Sequence, residues 1–345
     1  MRRYEHGGDI YSGDTVSLDF SVNTNPLGMP ESVKQVIISH IPEYTRYPDP
    51  RCRVLRSALA QHYGLKAPML LCGNGASELI FVLCACIKPR RAVTLAPTFS
   101  EYGRAATLFG GEMHEHLLLE NDGFALTESI LAELTPQTDV LFLCNPNNPT
   151  GRTCSPALLF KIAKTCRSNG ILLVLDECFI DFTRGESMLP YLGEYPNLLI
   201  LRAFTKIYAM AGLRLGMLYC ANLPLLSRIA EYCPEWNVSG VAQIAGLAAL
   251  KETGWIENTQ RLIEIERGFV ASAFCNLGLT VYQSDANFLL IKSEKPLDMA
   301  LRARGTLVRA CANFTGLDER YIRIGLKARD ENKTLIGAVT EILNG

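Results

Sequence analysis

The chain has 345 residues, 48% of them hydrophobic and 20% charged, and its formal net charge is -1 at pH 7. This length predicts roughly two domains. The near-neutral charge argues against a nucleic-acid-binding or anionic-membrane-binding surface, because both need an excess of Lys and Arg. No apolar signal-peptide core follows the first residues, and the longest nearly apolar stretches, 79–87 and 241–250, are too short to cross a bilayer. We therefore expect a cytoplasmic protein that binds neither nucleic acid nor membranes.

The twelve cysteines are scattered along the chain without a C-x-x-C pair, and most of them lie in apolar runs. A reduced cysteine in such a run packs as a small hydrophobic residue. We therefore expect free thiols rather than disulfides, and no metal site.

The order of the predicted elements indicates an α/β fold. The first thirty residues are rich in Gly, Asn and Pro and predict an extended arm. Short β-branched runs then alternate with helical ones, with strands expected over 91–95, 112–118, 140–144, 171–175 and 198–201, and helices over 99–109, 127–134 and 156–167. This alternation predicts a mostly parallel central sheet with helices on both faces.

After residue 221 the pattern changes to longer helices. They are expected over 223–233 and 239–274, the second broken near Gly254, and are followed by short strands over 280–283, 287–292, 307–310 and 321–326, with helices over 297–304 and from 330. This part predicts a smaller α+β domain. We divide the chain into an arm (1–30) that packs with the small domain and the active site, a large domain (31–235), and a connecting helix with the small domain (236–345).

Two loops at predicted strand ends carry residues suited to bind a ligand, and ligands bind at the carboxyl ends of strands in such sheets. The segment 73–78, Gly-Asn-Gly-Ala-Ser-Glu, precedes a helical run, and free N–H groups at a helix start favour a phosphate. The segment 145–151, Asn-Pro-Asn-Asn-Pro-Thr-Gly, supplies directional amide groups on a path that two prolines fix. An ordinary capped helix and an ordinary turn remain open alternatives.

Two charged residues at strand ends complete the pattern. Asp176 ends a strand that is apolar throughout, so its charge needs a cationic partner such as a protonated heteroaromatic nitrogen. Lys206 lies among apolar and aromatic residues, where a lowered pKa would make it an amine nucleophile for a Schiff base. A helix-capping carboxylate and a surface lysine are the alternatives. A phosphate loop, an amide loop, a buried acid and a lysine in this order are what a pyridoxal 5'-phosphate (PLP) site requires.

On these motifs, nearly the whole chain resembles the fold-type-I PLP enzymes of the aspartate aminotransferase superfamily. The resemblance implies the PLP-dependent transferase fold, with Lys206 as the lysine that binds the cofactor and as the catalytic residue. It also implies cofactor contacts by Ala76, Ser77, Phe99, Asn148, Asp176, Phe179, Thr205 and Arg214. A tyrosine of the partner subunit reaches the same phosphate in such enzymes, and Tyr47, in Arg-Tyr-Pro-Asp, matches it, which implies a homodimer with shared sites.

Two branches of that superfamily compete. Histidinol-phosphate aminotransferases usually carry Tyr three residues after the aspartate, where this chain has Phe179. The segments 6–10, 19–28 and 308–318 are similar to the threonine-phosphate decarboxylase family instead. That resemblance implies a small phosphorylated amino acid as substrate, bound by His6, Gly7, Gly8, Asn25, Asn148, Arg309 and Arg323, of which Arg323 clamps the carboxylate. A solvated terminus at His6 and a surface residue at Arg309 remain the alternatives.

The second resemblance implies PLP-dependent decarboxylation of O-phospho-L-threonine to (R)-1-aminopropan-2-yl phosphate and CO2, for the nucleotide-loop linker of cobamides. An O-phospho-L-serine decarboxylase and a histidinol-phosphate-type aminotransferase are the enzymatic alternatives. A non-enzymatic regulator that binds an effector on the same fold is a third, but such a protein would be expected to lack Lys206 or Asp176, and both are present.

Overall fold

The computed structural model describes residues 6–11 and 15–345 of the chain. These residues form the strands β1 (Leu18–Asp19), β2 (Leu70–Asn74), β3 (Arg91–Ala96), β4 (Glu112–Leu117), β5 (Val140–Cys144), β6 (Leu172–Asp176), β7 (Leu198–Ala203), β8 (Leu215–Cys220), β9 (Thr280–Val281), β10 (Phe288–Lys292), β11 (Thr306–Leu307), β12 (Arg309–Ala310) and β13 (Tyr321–Gly325). The α-helices are α1 (Glu31–Ser39), α2 (Arg53–His62), α3 (Gly75–Ile87), α4 (Glu101–Leu108), α5 (Pro156–Ser168), α6 (Phe204–Ile207), α7 (Leu223–Ala230), α8 (Gly240–Ala249), α9 (Trp255–Asn276), α10 (Asp298–Arg302) and α11 (Arg329–Asn344).

A seven-stranded sheet in the order β2-β8-β7-β6-β5-β3-β4 forms the centre of the fold. Strands β3 to β7 run parallel, whereas β8 is antiparallel to both of its neighbours. Every residue of β5 and β7 is buried, because core clusters cover both faces of the sheet. The predicted α/β architecture with a mostly parallel sheet is confirmed.

Local sequence signals explain where the helices between these strands begin. Helix α5 starts at Pro156, whose missing N–H costs nothing at that position, and the hydroxyl of Ser155 accepts from the N–H of Leu158. The helix expected over 127–134 is instead a 3-10 helix at Glu128–Glu133. Pro136 follows closely and disfavours helical backbone at Thr135, so the segment is too short to extend as an α-helix.

The carboxy-terminal part forms a four-stranded antiparallel sheet in the order β12-β13-β10-β9. The described part of the arm packs against it: β1 pairs with β11, and the fully buried Phe20 exchanges backbone hydrogen bonds with Leu307 and Gly325. The domain limits at residues 30 and 235 stay predictions. Within residues 6–11 and 15–345, no helix combines the length and apolar composition that a bilayer span needs.

Candidate active site

A cavity of about 460 Å³ opens at the carboxyl ends of β5, β6 and β7. Most of the residues that the sequence predicts to bind a cofactor or substrate line it. They are His6, Gly7, Ala76, Ser77, Phe99, Asn148, Asp176, Phe179, Thr205, Lys206, Arg214, Arg309 and Arg323. The cavity therefore brings together the ends of the central strands, the arm and the carboxy-terminal sheet.

Asp176, the last residue of β6, is a buried acid at the base of this cavity. Its Oδ2 accepts a 2.6 Å hydrogen bond from the hydroxyl of Tyr102, and its Oδ1 accepts from the N–H of Cys178 at 2.9 Å. Burial raises the pKa of Tyr102 well above its ordinary value, so this hydroxyl keeps its proton and donates. No side chain of the described residues forms an ion pair with Asp176, so the carboxylate still requires a cationic partner.

Lys206 enters the cavity from α6, the short helix that follows β7. Burial, together with the nearby guanidinium groups of Arg323 and Arg214, lowers the pKa of its amine to about 8. A neutral amine is therefore accessible near physiological pH, as a nucleophile requires.

An anion cradle lies where α3 begins. Gly75 has a φ of +82°, and a Cβ built there would lie 2.4 Å from a nitrogen of Arg214, so the guanidinium packs directly on the backbone of the helix start. Ala76, Ser77 and Thr205 line the same end of the cavity. Free N–H groups of a helix start beside a guanidinium favour a phosphate.

Arg309 and Arg323 form a second cationic centre. They are directly opposite each other on β12 and β13, and each side chain is only 6% exposed. Arg323 donates to Oδ1 of Asn148 and to the carbonyl of Ser21, whereas its Nε has no hydrogen-bond partner among the residues that the structure describes. Burial lowers the pKa of Arg323 to about 10, and the charge of Arg309 contributes to the lowering. Like charges directly opposite on a sheet are unfavourable, so this pair is suited to an anionic ligand.

Three residues of the predicted site do not line the cavity. Asn25 lies behind Lys206, where its side chain donates to the carbonyl of Ile207 and to the hydroxyl of Thr259, so the structure gives it a role in holding α6 rather than in contacting a substrate. Gly8 donates its N–H to Oγ of Ser21. Tyr47 is 80% exposed, and the sequence predicts that it contacts the cofactor phosphate in the partner subunit.

The sequence does not single out Tyr102, Cys144 or Glu101, which also line the cavity. Cys144 is the last residue of β5 and lies directly opposite Asp176, the last residue of β6. Aligning the ends of these two predicted strands is the sequence signal that could have identified Cys144 as a site residue. All twelve cysteines are free thiols. Among the described residues, no group of three or more His, Cys, Asp and Glu side chains is arranged to bind a metal ion.

Known proteins resemble the chain over nearly its full length. It is 42% identical to the threonine-phosphate decarboxylase of Salmonella typhimurium, over 99% of this chain and 97% of the relative. It is 33% identical to a histidinol-phosphate aminotransferase of Geobacillus, over 96% and 91% of the two chains. The fold matches that of the histidinol-phosphate aminotransferase of Sinorhizobium meliloti, solved with pyridoxal 5'-phosphate, with a TM-score of 0.85 at 21% identity over 95% and 91% of the two chains.

The family model described as aminotransferase class I and II matches residues 15–340. The chain therefore belongs to the class I and II aminotransferase family.

Proposed function

We propose that this protein binds PLP in the cavity and decarboxylates O-phospho-L-threonine. Three groups of the chain fit this cofactor: the cradle at the start of α3 for its phosphate, Asp176 for its protonated ring nitrogen, and Lys206 for its aldehyde. Phe99 lines the same cavity and offers an aromatic face for the ring. The family to which the chain belongs and the PLP of the Sinorhizobium structure support the proposal.

The observation that carries the choice of substrate is the arginine pair of β12 and β13. O-phospho-L-threonine has two anionic groups, a carboxylate and a phosphate, and two buried guanidinium groups suit such a ligand. We assign the carboxylate to Arg323, which is held by Asn148 and Ser21, and the phosphate to the side of Arg309. The 42% identity to a threonine-phosphate decarboxylase supports the choice of substrate.

In the mechanism, bound PLP supplies a protonated ring that accepts the electron pair released at the substrate Cα. Arg323 and Arg309 together hold the substrate so that the bond from Cα to the carboxylate is the one aligned for cleavage, and this bond breaks to release CO2. The ammonium form of Lys206 then delivers a proton to Cα and becomes the neutral amine, for which a pKa of about 8 is suited. The product is (R)-1-aminopropan-2-yl phosphate, and its use for a cobamide linker stays a prediction.

An aminotransferase would align the Cα–H bond in place of the carboxylate and would require a keto acid. The choice between the two reactions is therefore one of substrate orientation, which a few kcal/mol of positioning can decide. Phe179 lines the cavity with no hydroxyl to donate to the cofactor, in contrast to the Tyr usual in histidinol-phosphate aminotransferases. O-phospho-L-serine lacks one methyl group, a difference that a pocket discriminates by about 1–3 kcal/mol.

We further propose a homodimer in which Tyr47 reaches the partner's cofactor phosphate. The ring of Tyr47 lies 4.7 Å from that of Trp236, which is 47% exposed. Ile41 and Val54 each expose more than half of their surface. Such exposed large apolar side chains are suited to an interface.

The test is a substrate panel for the purified protein loaded with PLP. We expect CO2 release from O-phospho-L-threonine without any keto acid, and none from L-threonine at the same concentration. Lys206→Ala should lose both the turnover and the visible absorbance of lysine-bound PLP. Turnover that requires 2-oxoglutarate and histidinol phosphate would refute the decarboxylase assignment, and persistent absorbance in Lys206→Ala would refute the assignment of the lysine.

A further inference from the structure

Glu101 is an acid that the proposed mechanism does not use, although it lines the cavity and is only 5% exposed. Its Oε1 accepts from Nε2 of His6 and its Oε2 from Arg104, both at 3.0 Å. The hydrogen bond from His6 lowers the pKa of Glu101, so the carboxylate is ionised at neutral pH. A negative charge inside a cavity for an anionic substrate is unfavourable unless donors compensate it, as His6 and Arg104 do here.

His6 belongs to the arm segment, defined here as residues 6–8, of which His6 and Gly7 line the cavity. Because an ionised carboxylate can only accept, Nε2 of His6 carries a proton and Nδ1 is left for another partner. The ring of His6 also lies 5.9 Å from that of Phe99. One end of the arm segment is thus fixed on Glu101 and Phe99.

The other end of the arm segment is fixed on Ser21. A Cβ at Gly7 would lie 2.1 Å from the carbonyl oxygen of Ser21, so only glycine allows this approach. The N–H of Gly8 donates to Oγ of Ser21 at 2.7 Å. The carbonyl of Ser21, which Gly7 approaches, accepts a hydrogen bond from Arg323. Ser21 therefore connects the arm segment to the arginine that we assign to the substrate carboxylate.

We propose that Glu101 is a positioning residue: it docks the arm segment over the cavity and orients His6 toward the phosphate of the substrate. Because Nε2 of His6 is bonded to Glu101, Nδ1 is the ring nitrogen that would contact the substrate phosphate. This role deepens the proposed function and rests on it for the identity of the anion, whereas the docking of the arm does not depend on the substrate.

The first test compares Glu101→Gln, His6→Ala and the double variant as PLP-loaded enzymes. Glu101→Gln keeps the side-chain shape but removes the charge, so we expect KM for O-phospho-L-threonine to rise about tenfold with kcat unchanged. Because Glu101 acts through His6, the double variant should be no worse than His6→Ala alone. Glu128→Gln is the matched control, since it removes an exposed ion pair with Lys161 outside the cavity.

A second readout is independent of turnover. Amide hydrogen exchange of peptides that contain Gly8 should be slow in the parent enzyme and faster in both Glu101→Gln and His6→Ala, with no change in Glu128→Gln. Multiplicative losses in the double variant, a fall in kcat at constant KM, or unchanged exchange would each overturn the proposal and leave Glu101 as a helix partner of Arg104. If the parent enzyme fails to turn over O-phospho-L-threonine, the proposed function fails, and the exchange comparison still decides whether Glu101 docks the arm.

Discussion

Replacing Lys206 by Met should stabilise the cofactor-free protein at neutral pH. The pKa of Lys206 is lowered from 10.5 to about 8, first by burial and then by Arg323 and Arg214. The folded state therefore disfavours the protonated amine, and this penalty is full below about pH 8. Since one pH unit corresponds to 1.36 kcal/mol, it amounts to at most about 3 kcal/mol, because the amine still faces the water of the cavity.

The sign of the pH dependence follows from proton binding. Between about pH 8 and 10.5 the unfolded chain binds more protons at this lysine than the folded chain, so the free energy of unfolding of the parent protein rises with pH. Above pH 10.5 the penalty is gone. Lys206→Met should therefore be more stable than the parent at pH 7, and the difference should shrink through this window.

The assay is urea unfolding of the two cofactor-free proteins between pH 7 and 10.5 in a buffer without phosphate. Lys164→Met, which changes an exposed lysine of α5, is the matched control and should show no such difference. A Lys206→Met protein that is less stable than the parent, or a stability difference that stays constant with pH, would contradict the inference that the folded state disfavours the protonated amine of Lys206.

Three further changes test separate parts of the site. Arg309→Gln should raise KM for O-phospho-L-threonine roughly 10- to 100-fold, as measured by steady-state kinetics. Tyr102→Phe should destabilise the cofactor-free protein by about 1–3 kcal/mol in urea unfolding, because an oxygen of Asp176 loses its donor, and PLP should reduce that loss by supplying a cation. Mixing Lys206→Ala with Tyr47→Ala should restore decarboxylation that neither variant shows alone, since one site of each mixed dimer then has both native residues; no recovery after subunit exchange would contradict shared sites.

Burial on both faces explains why the central strands could be predicted from the sequence. A strand such as β5 is apolar throughout and is bounded by turn residues, so its predicted limits agree with the observed ones. Strand β8 is equally buried, but the sequence pattern does not predict it, because its first residues belong to the glycine-containing segment after Lys206 and its run is too short to distinguish from other buried segments. Helices α1 and α2 bury few residues, Val33 in α1 and Leu55, Leu59 and Ala60 in α2, so each contacts the core along a narrow stripe only.

The loops of the site could be predicted because each is a continuous motif at a strand end. The contacts that complete the site join distant residues: Tyr102 and Asp176 are 74 positions apart, and Arg323 and Ser21 are 302 apart. Such contacts depend on how the strands align and on where the arm crosses, and neither is encoded in a local pattern.

The role of Asn25 is another feature that a local sequence pattern does not encode. A polar residue in an arm that resembles a substrate-binding segment is expected to face the substrate, yet its amide holds Ile207 and Thr259 while its N–H donates to the carbonyl of Lys206. The position of Lys206 is therefore fixed by a residue 181 positions earlier in the chain. Because a short helix such as α6 has too few hydrogen bonds of its own to hold a lysine in one place, the arm supplies that rigidity, and Asn25 fixes from behind the lysine that we propose to be catalytic.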